Sequence, residues 1–278
     1  SSLGTASDCF SLANQFSSPP LFQVLKVSHN GQPVTTAYGE ITVDGDLQSA
    51  EQADIFLIPA IGQHIAAVIK DNQPLLDWLQ QQALQGKQQL ASLCSAAFVL
   101  AEAGALNEHA ATTHWALADR FRLAFPRVKL TIEQLVTHDR QILCSGGAQA
   151  GVDLCLHIIR LYGGDWLARQ VASALVVDYG RGLQTRFVPR LPPPQQQDPA
   201  LAGLQRWLEQ HYAQTVTLED MAERLHCSPR TLLRRFKEAT GLTPNDYLQR
   251  VRISAAESRL AESRHTIEQI AAQVGYEN

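Results

Sequence analysis

The sequence predicts an α/β N-terminal domain, doubly wound around a mostly parallel sheet, followed by an all-α C-terminal domain. Three observations carry this. Over residues 1–185 short apolar runs alternate with helical patterns, as expected of parallel strands joined by crossover helices. Over 201–278 every apolar pattern has helical spacing. Between them stand Pro192-Pro193-Pro194 and then Gln195-Gln196-Gln197-Asp198-Pro199. Three successive prolines continue neither a helix nor a central strand and favour an extended polyproline II spacer. Residues 186–200 are therefore read as a linker; the alternative is a Pro-rich surface loop within one domain.

In the first part, Leu21–Val27, Ile55–Pro59, Leu90–Leu93 and Gln141–Cys144 read as strands. Leu75–Leu84, Ala96–Ala103, Trp115–Phe125, Gly151–Tyr162 and Trp166–Val177 read as helices. Val34–Val43, around Gly39, reads as a hairpin or an edge strand. In the second part, Leu201, Leu204, Trp207 and Leu208 share one helical face, and Leu218, Met221, Ala222 and Leu225 share the next. Leu232 and Phe236 mark a third helix, Tyr247, Leu248, Val251 and Ala255 a fourth, and Ile267, Ile270, Ala271 and Val274 a fifth.

Composition narrows the classes. No run of about 18 apolar residues exists, so no membrane span is expected. The five cysteines, Cys9, Cys94, Cys144, Cys155 and Cys227, are odd in number and without a CxxC pair. That argues against a disulfide framework or a zinc site and for a reducing, cytoplasmic setting; no metal or cofactor is expected. The N-terminus lacks the basic-then-apolar pattern of a signal peptide, although Ser1 reads as lying inside an ongoing fold, which leaves a leader open. The formal charge of −4 argues against a nucleic-acid binder. Residues 200–278, however, carry ten cationic and ten acidic side chains, so clustering rather than net charge decides.

The clustering is local. Thr217, three residues before Asp220, is a helix N-cap, and His226-Cys227 leaves room only for a short turn. Ser228 is a good N-cap and Pro229 fits the first helical position. Two helices joined this tightly form a helix-turn-helix. The second carries Arg230, Arg234, Arg235 and Lys237 with no acidic residue before Glu238. Leu232 and Phe236 take the core face, which leaves Arg230, Leu233, Arg234 and Lys237 largely off it. Such a face suits the major groove, where Arg reads guanine O6 and N7 while Lys and further Arg hold phosphates. Any solvated basic helix face would read the same way.

The ordered stretch Ser228-Pro229-Arg230-Thr231-Leu232-Leu233-Arg234-Arg235-Phe236-Lys237-Glu238-Ala239-Thr240-Gly241, with Thr243-Pro244 and Tyr247-Leu248, resembles the first helix-turn-helix of the AraC/XylS family. Residues 250–256 resemble that family's linker helix, and 266–278 the opening of its second helix-turn-helix. The resemblance implies double-stranded promoter DNA as partner, a homodimer, and base contacts at Arg230, Leu233 and Arg234. Leu233 departs from the polar residue often found there; it would touch a thymine methyl or lie merely exposed. With Ser228, Thr231, Arg235 and Lys237 these are the candidate DNA-contacting residues. By the same pattern the second recognition helix would begin just after Asn278, so a stretch with one reading helix is expected to bind DNA weakly and with poor specificity; nanomolar affinity at physiological salt would overturn that.

A second constellation lies at Leu90–Ala101, where an apolar strand runs straight into a helix with Cys94 at the corner. A thiol there stands at the sheet's carboxyl edge near a helix N-terminus, which is expected to lower its pKa. Nucleophilic chemistry also needs a base, for which His114 is the candidate. Ala53–Pro59, the Cys94 elbow with Leu100–Leu106, Ala111–Trp115, and Ser145–Ala148 with Gly151–Leu154 resemble the PfpI-type domain of the class I glutamine amidotransferase-like superfamily, whose elbow cysteine pairs with a histidine at this spacing. That domain ahead of AraC-type helices is the arrangement of the GlxA-like regulators. Ser1–Gln15 reads as the helix after the family's first strand, so that strand is missing from the pattern. Ser95 stands where peptidase relatives carry a histidine. The resemblance therefore implies a transcriptional regulator whose N-terminal domain senses an unknown small-molecule effector, with Cys94, Ser95 and His114 as pocket residues, or mediates dimerisation. The alternative is a cysteine-dependent hydrolase or glyoxalase-like enzyme acting through Cys94.

Overall fold

The computed structural model describes residues 2–36, 39–187, 191, 198–262 and 265–276. Two compact units result, Ser1–Val188 and Pro189–Asn278. The polyproline reading of 192–197 lies outside the described residues.

The first unit opens with α1 (Ser2–Phe16) and a small antiparallel pair, β1 (Val34–Thr36) and β2 (Gly39–Ile41), where the hairpin or edge strand was expected. There follow β3 (Ile55–Ile58), α2 (Ile65–Asp71), α3 (Gln73–Gln85), β4 (Gln89–Leu93) and α4 (Ala97–Glu102). Next come β5 (Ala110–Ala111), α5 (Ala118–Ala124), β6 (Lys129–Leu130), β7 (Val136–Asp139), β8 (Ile142–Ser145) and α6 (Ala150–Ala174). The main sheet has the order β3-β4-β8-β7; the first three strands are parallel, and β7 runs antiparallel to β8.

The central strands show why the sheet is wound on both sides. Along β4 and β8, Leu90, Ile142 and Cys144 pack with α2, α3, α4 and α5, while Ala91, Leu93 and Leu143 pack with α1 and α6. Successive side chains of a strand point to opposite faces, and here both faces are covered. That leaves the carboxyl ends of β3, β4 and β8, and the loops that follow them, as the place for a site.

One expectation is corrected. Leu21–Val27 is not a strand; only Val27 makes a bridge, to Gly45. Several of its amides go to side chains instead of a ladder: Leu21 and Phe22 N–H donate to Asn14 Oδ1 at 2.9 and 2.8 Å, and Lys26 N–H donates to Asp44 Oδ2 at 2.8 Å. The two helices expected over 151–177 are present: the span α6 is two helices meeting at Gly164 (φ 83°, ψ 167°), a left-handed backbone that glycine takes without a steric cost. It ends at Ala174, short of Val177.

The second unit is all helix among the described residues: α7 (Pro199–His211), α8 (Leu218–Arg224), α9 (Pro229–Thr240), α10 (Pro244–Glu262) and α11 (Ile267–Gln273). Leu204, Leu208, Met221, Leu232, Phe236, Tyr247 and Val251 form its core. No helix among the described residues is long and apolar enough to cross a membrane.

Candidate functional site: a basic helix and a half-buried cysteine elbow

The helix-turn-helix is built by its caps. Thr217 Oγ1 accepts from Asp220 N–H at 3.1 Å and the Asp220 carboxylate accepts from Thr217 N–H at 2.9 Å, a reciprocal box that starts α8. His226 takes φ 51°, turning the chain sharply, and Cys227 N–H returns to Ala222 O at 3.0 Å. Ser228 Oγ then accepts from Thr231 N–H at 3.2 Å, with Pro229 in the first turn of α9. Ser228 and Thr231 are thus occupied in starting the helix, their hydroxyls 2.9 Å apart.

Leu232 and Phe236 are fully buried, which fixes the rotation of α9. Arg230, Leu233, Arg234 and Lys237 are exposed, at the i, i+3, i+4 and i+7 spacing of one helix face. Arg234 meets Glu238 at 3.1 Å, both side chains well exposed. A surface pair of this kind is worth at most about 1 kcal/mol, so it gives way to a better acceptor. Arg235 differs from the other cations. It is partly buried and donates to Asp198 Oδ2 at 2.7 Å. Arg235 holds the Asp198 carboxyl below the usual range, and the same carboxylate caps α7 through Leu201 N–H. Arg235 therefore ties α9 to α7. Arg224 lies over the Trp207 ring at 4.2 Å, an arrangement that sequence spacing did not reveal.

In the first unit Cys94 sits at the expected elbow, with φ 56°. A non-glycine residue in this region stores about 1–2 kcal/mol of strain, held here by its neighbours. Thr113 Oγ1 donates to Cys94 O at 3.0 Å, and Cys94 N–H reaches Ser145 Oγ at 3.4 Å. The expected lowering of the thiol pKa is reversed. Burial pushes Cys94 up and outweighs the hydrogen bond from the Ser95 backbone. The helical segment that follows begins as one 3-10 turn, Cys94–Ala96, before the six-residue α4, so its dipole is short. Alkylation of Cys94 by iodoacetamide at pH 7 is expected to run slower than that of an ordinary exposed cysteine and to need a more alkaline pH to reach the same rate; mass spectrometry of the modified peptide checks this.

The other two pocket candidates are partly committed. Ser95 is buried, and its Oγ accepts from Ile61 N–H at 3.1 Å, pinning the loop after β3. His114 uses Nδ1 to accept from Ala116 N–H at 3.1 Å, capping the 3-10 turn Trp115–Leu117. Burial lowers its pKa, so it is neutral at pH 7. Among the described residues no hydrogen bond joins Cys94 to His114. The strongest device at this edge is Gln184, which carried no sequence signal. It is buried; its Nε2 donates to Thr113 O at 3.0 Å and Ile132 O at 2.8 Å, and its Oε1 accepts from Gly147 N–H at 2.7 Å. A Cβ on Gly146 would overlap that amide, which is why glycine stands there.

Comparison with known proteins matches this geometry. The DJ-1/PfpI family model covers residues 7–161, more than half of the chain, and a helix-turn-helix domain model covers 221–278. The chain belongs to the DJ-1/PfpI family and joins that domain to an AraC-type helix-turn-helix. It is 26% identical over 277 residues to the HTH-type transcriptional regulator GbdR of Pseudomonas aeruginosa, covering 99% of this chain and 74% of that one. With the HTH-type transcriptional regulator CdhR of the same species it shares 27% over 276 residues, covering 96% and 78%. The crystal structure of an AraC family transcriptional regulator from Pseudomonas putida superposes with a TM-score of 0.53 at 24% identity, over 63% of this chain and 91% of that one, a likeness of fold.

Proposed function

We propose that the protein is a cytoplasmic, sequence-specific DNA-binding transcriptional regulator, in which 1–185 and 201–278 act as separate domains about the 186–200 linker. The observation that carries this is the exposed stripe Arg230, Leu233, Arg234 and Lys237 on a helix whose opposite face is locked by Leu232 and Phe236. Arg230 and Arg234 read bases in the major groove of promoter DNA; Lys237 holds a phosphate. Leu233, 37% exposed between them, offers an apolar contact to a thymine methyl. Arg235 contributes by positioning α9 through Asp198. The names of the two full-length relatives point the same way.

The N-terminal domain serves as sensor of a small-molecule effector or as the dimerisation domain, with the crevice by Cys94 and His114 as the effector's place in the former case. A cysteine-dependent enzyme is the weaker reading, because the thiol is pushed up by burial and, among the described residues, has no hydrogen-bonded base. The test is selection from a random pool of DNA duplexes at low salt. Recovery of an enriched motif is expected; a pool returned without enrichment, at any salt, contradicts the assignment.

A further inference from the structure

A groove of about 370 Å³ lies on the first unit between α6 and the turn Tyr179–Gly182, at the small end of ligand-site volumes. None of Cys94, Ser95 or His114 lines it. Its charges are arranged in a definite way. Asp153 is ion-paired with Arg181, partly buried. Asp165 is bonded to Arg169 at 2.6 Å and to the Tyr179 hydroxyl at 2.7 Å. Arg160 also lines the groove and, among the described residues, has no carboxylate within ion-pair distance. Asp178 lies outside the lining and acts on Arg181. Asp165, bonded to Arg169 and Tyr179, also acts on Arg160 at longer range, which leaves Arg160 as the lining cation without an ion pair of its own among the described residues.

Arg160 is held by a directed chain. Its Nη2 donates to His157 Nδ1 at 3.2 Å. A guanidinium only donates, so the His157 ring proton is on Nε2, which donates to His138 Nδ1 at 3.0 Å. His138 then donates from Nε2 to Arg140 O at 3.0 Å, where a carbonyl only accepts. Both ends fix the direction; burial, then His138 and Arg160, bring His157 down to about 4. Leu135, Val136 and Leu156 form the apolar part of the wall.

We infer that this groove is a binding site for a small organic carboxylate, its head on the Arg160 guanidinium and its short hydrocarbon end against Leu135, Val136 and Leu156. The fork of N–H groups matches a carboxylate, and the apolar wall separates an organic acid from a hydrated inorganic anion. A cationic ligand is disfavoured, because both acidic groups of the lining already have arginine partners. This site stands apart from the DNA-reading assignment and from the elbow crevice.

The probe is hexanoate, titrated into the whole protein while the His157 and His138 ring signals are followed by long-range proton–nitrogen NMR. Ligands this small bind in the millimolar range, so a saturable shift of both rings at millimolar concentrations is expected. Arg160→Ala weakens binding at least tenfold and Arg160→Lys recovers part of it. Hexan-1-ol, with the tail but no carboxylate, and inorganic phosphate, with charge but no tail, each bind at least tenfold more weakly. The proposal is overturned by no saturable shift, by hexanol or phosphate matching hexanoate, or by unchanged affinity in Arg160→Ala.

Discussion

Phe236→Ala is expected to destabilise the helical unit by about 3–5 kcal/mol. Phe236 is fully buried, and its ring meets that of Tyr247 edge-on at 5.5 Å. Tyr247 is also fully buried and donates its hydroxyl to Glu209 at 2.7 Å, so the truncation opens a cavity beside a polar group that water cannot easily reach. A domain this size has a total stability of order 5–15 kcal/mol, and each kilocalorie moves its midpoint by about 4–8 °C. A fall of at least about 12 °C in the melting of residues 189–278, with the first unit's transition unmoved, is the expected calorimetric result. A fall of less than about 4 °C contradicts the placement of Phe236 at the centre of that core. The same variant loses DNA binding at temperatures where α9 has melted, because the groove-facing stripe has no orientation without its buried side.

Gln184→Ala is expected to cost the first unit about 2–5 kcal/mol, a large effect for a residue with no place in any strand or long helix. Its amide satisfies the carbonyls of Thr113 and Ile132 and the N–H of Gly147 at once. Alanine leaves all three without that partner in a buried position, and each unsatisfied group costs about 1–3 kcal/mol less whatever entering water recovers. Gln184→Glu does no better, since a carboxylate faces two carbonyl oxygens. Calorimetry reads the loss, and faster amide exchange at Gly147 shows that the loop beside His114 is what loosens. Exchange and melting both unchanged would show that the clamp is dispensable.

The parts of the fold that sequence revealed are those in which one local rule decides. Leu90–Leu93 and Gln141–Cys144 are mostly apolar because both sheet faces are covered. Thr217 with Asp220, and Ser228 with Pro229, mark helix starts through short-range hydrogen bonds. What stayed hidden depends on partners distant in the chain. Leu21–Val27 has strand composition, yet a strand exists only with a neighbour to pair with, and Asn14 and Asp44 take its amides instead. β7 ends in His138 and Asp139, polar residues that carry no strand pattern of their own and are ordered by pairing with β8. α2 is seven residues long and has no side-chain cap at its start. At the candidate sites, the exposed face of α9 follows from Leu232 and Phe236 alone. The commitment of Arg235 to Asp198, 37 residues away, does not. The Cys94 thiol shows a competition between two effects. Position near a helix start is visible in sequence, burial is visible only in the fold, and burial prevails.

The most direct test of the central claim, that α9 reads DNA sequence, is the affinity of the protein and of Arg234→Ala for the selected duplex and for its single-base variants, measured at one fixed salt concentration. The expected result is a loss of about 1–3 kcal/mol on the selected duplex, with discrimination flattened at one base position and kept elsewhere. An Arg234→Ala protein with the parent's affinity and the parent's base preference at every position would contradict it.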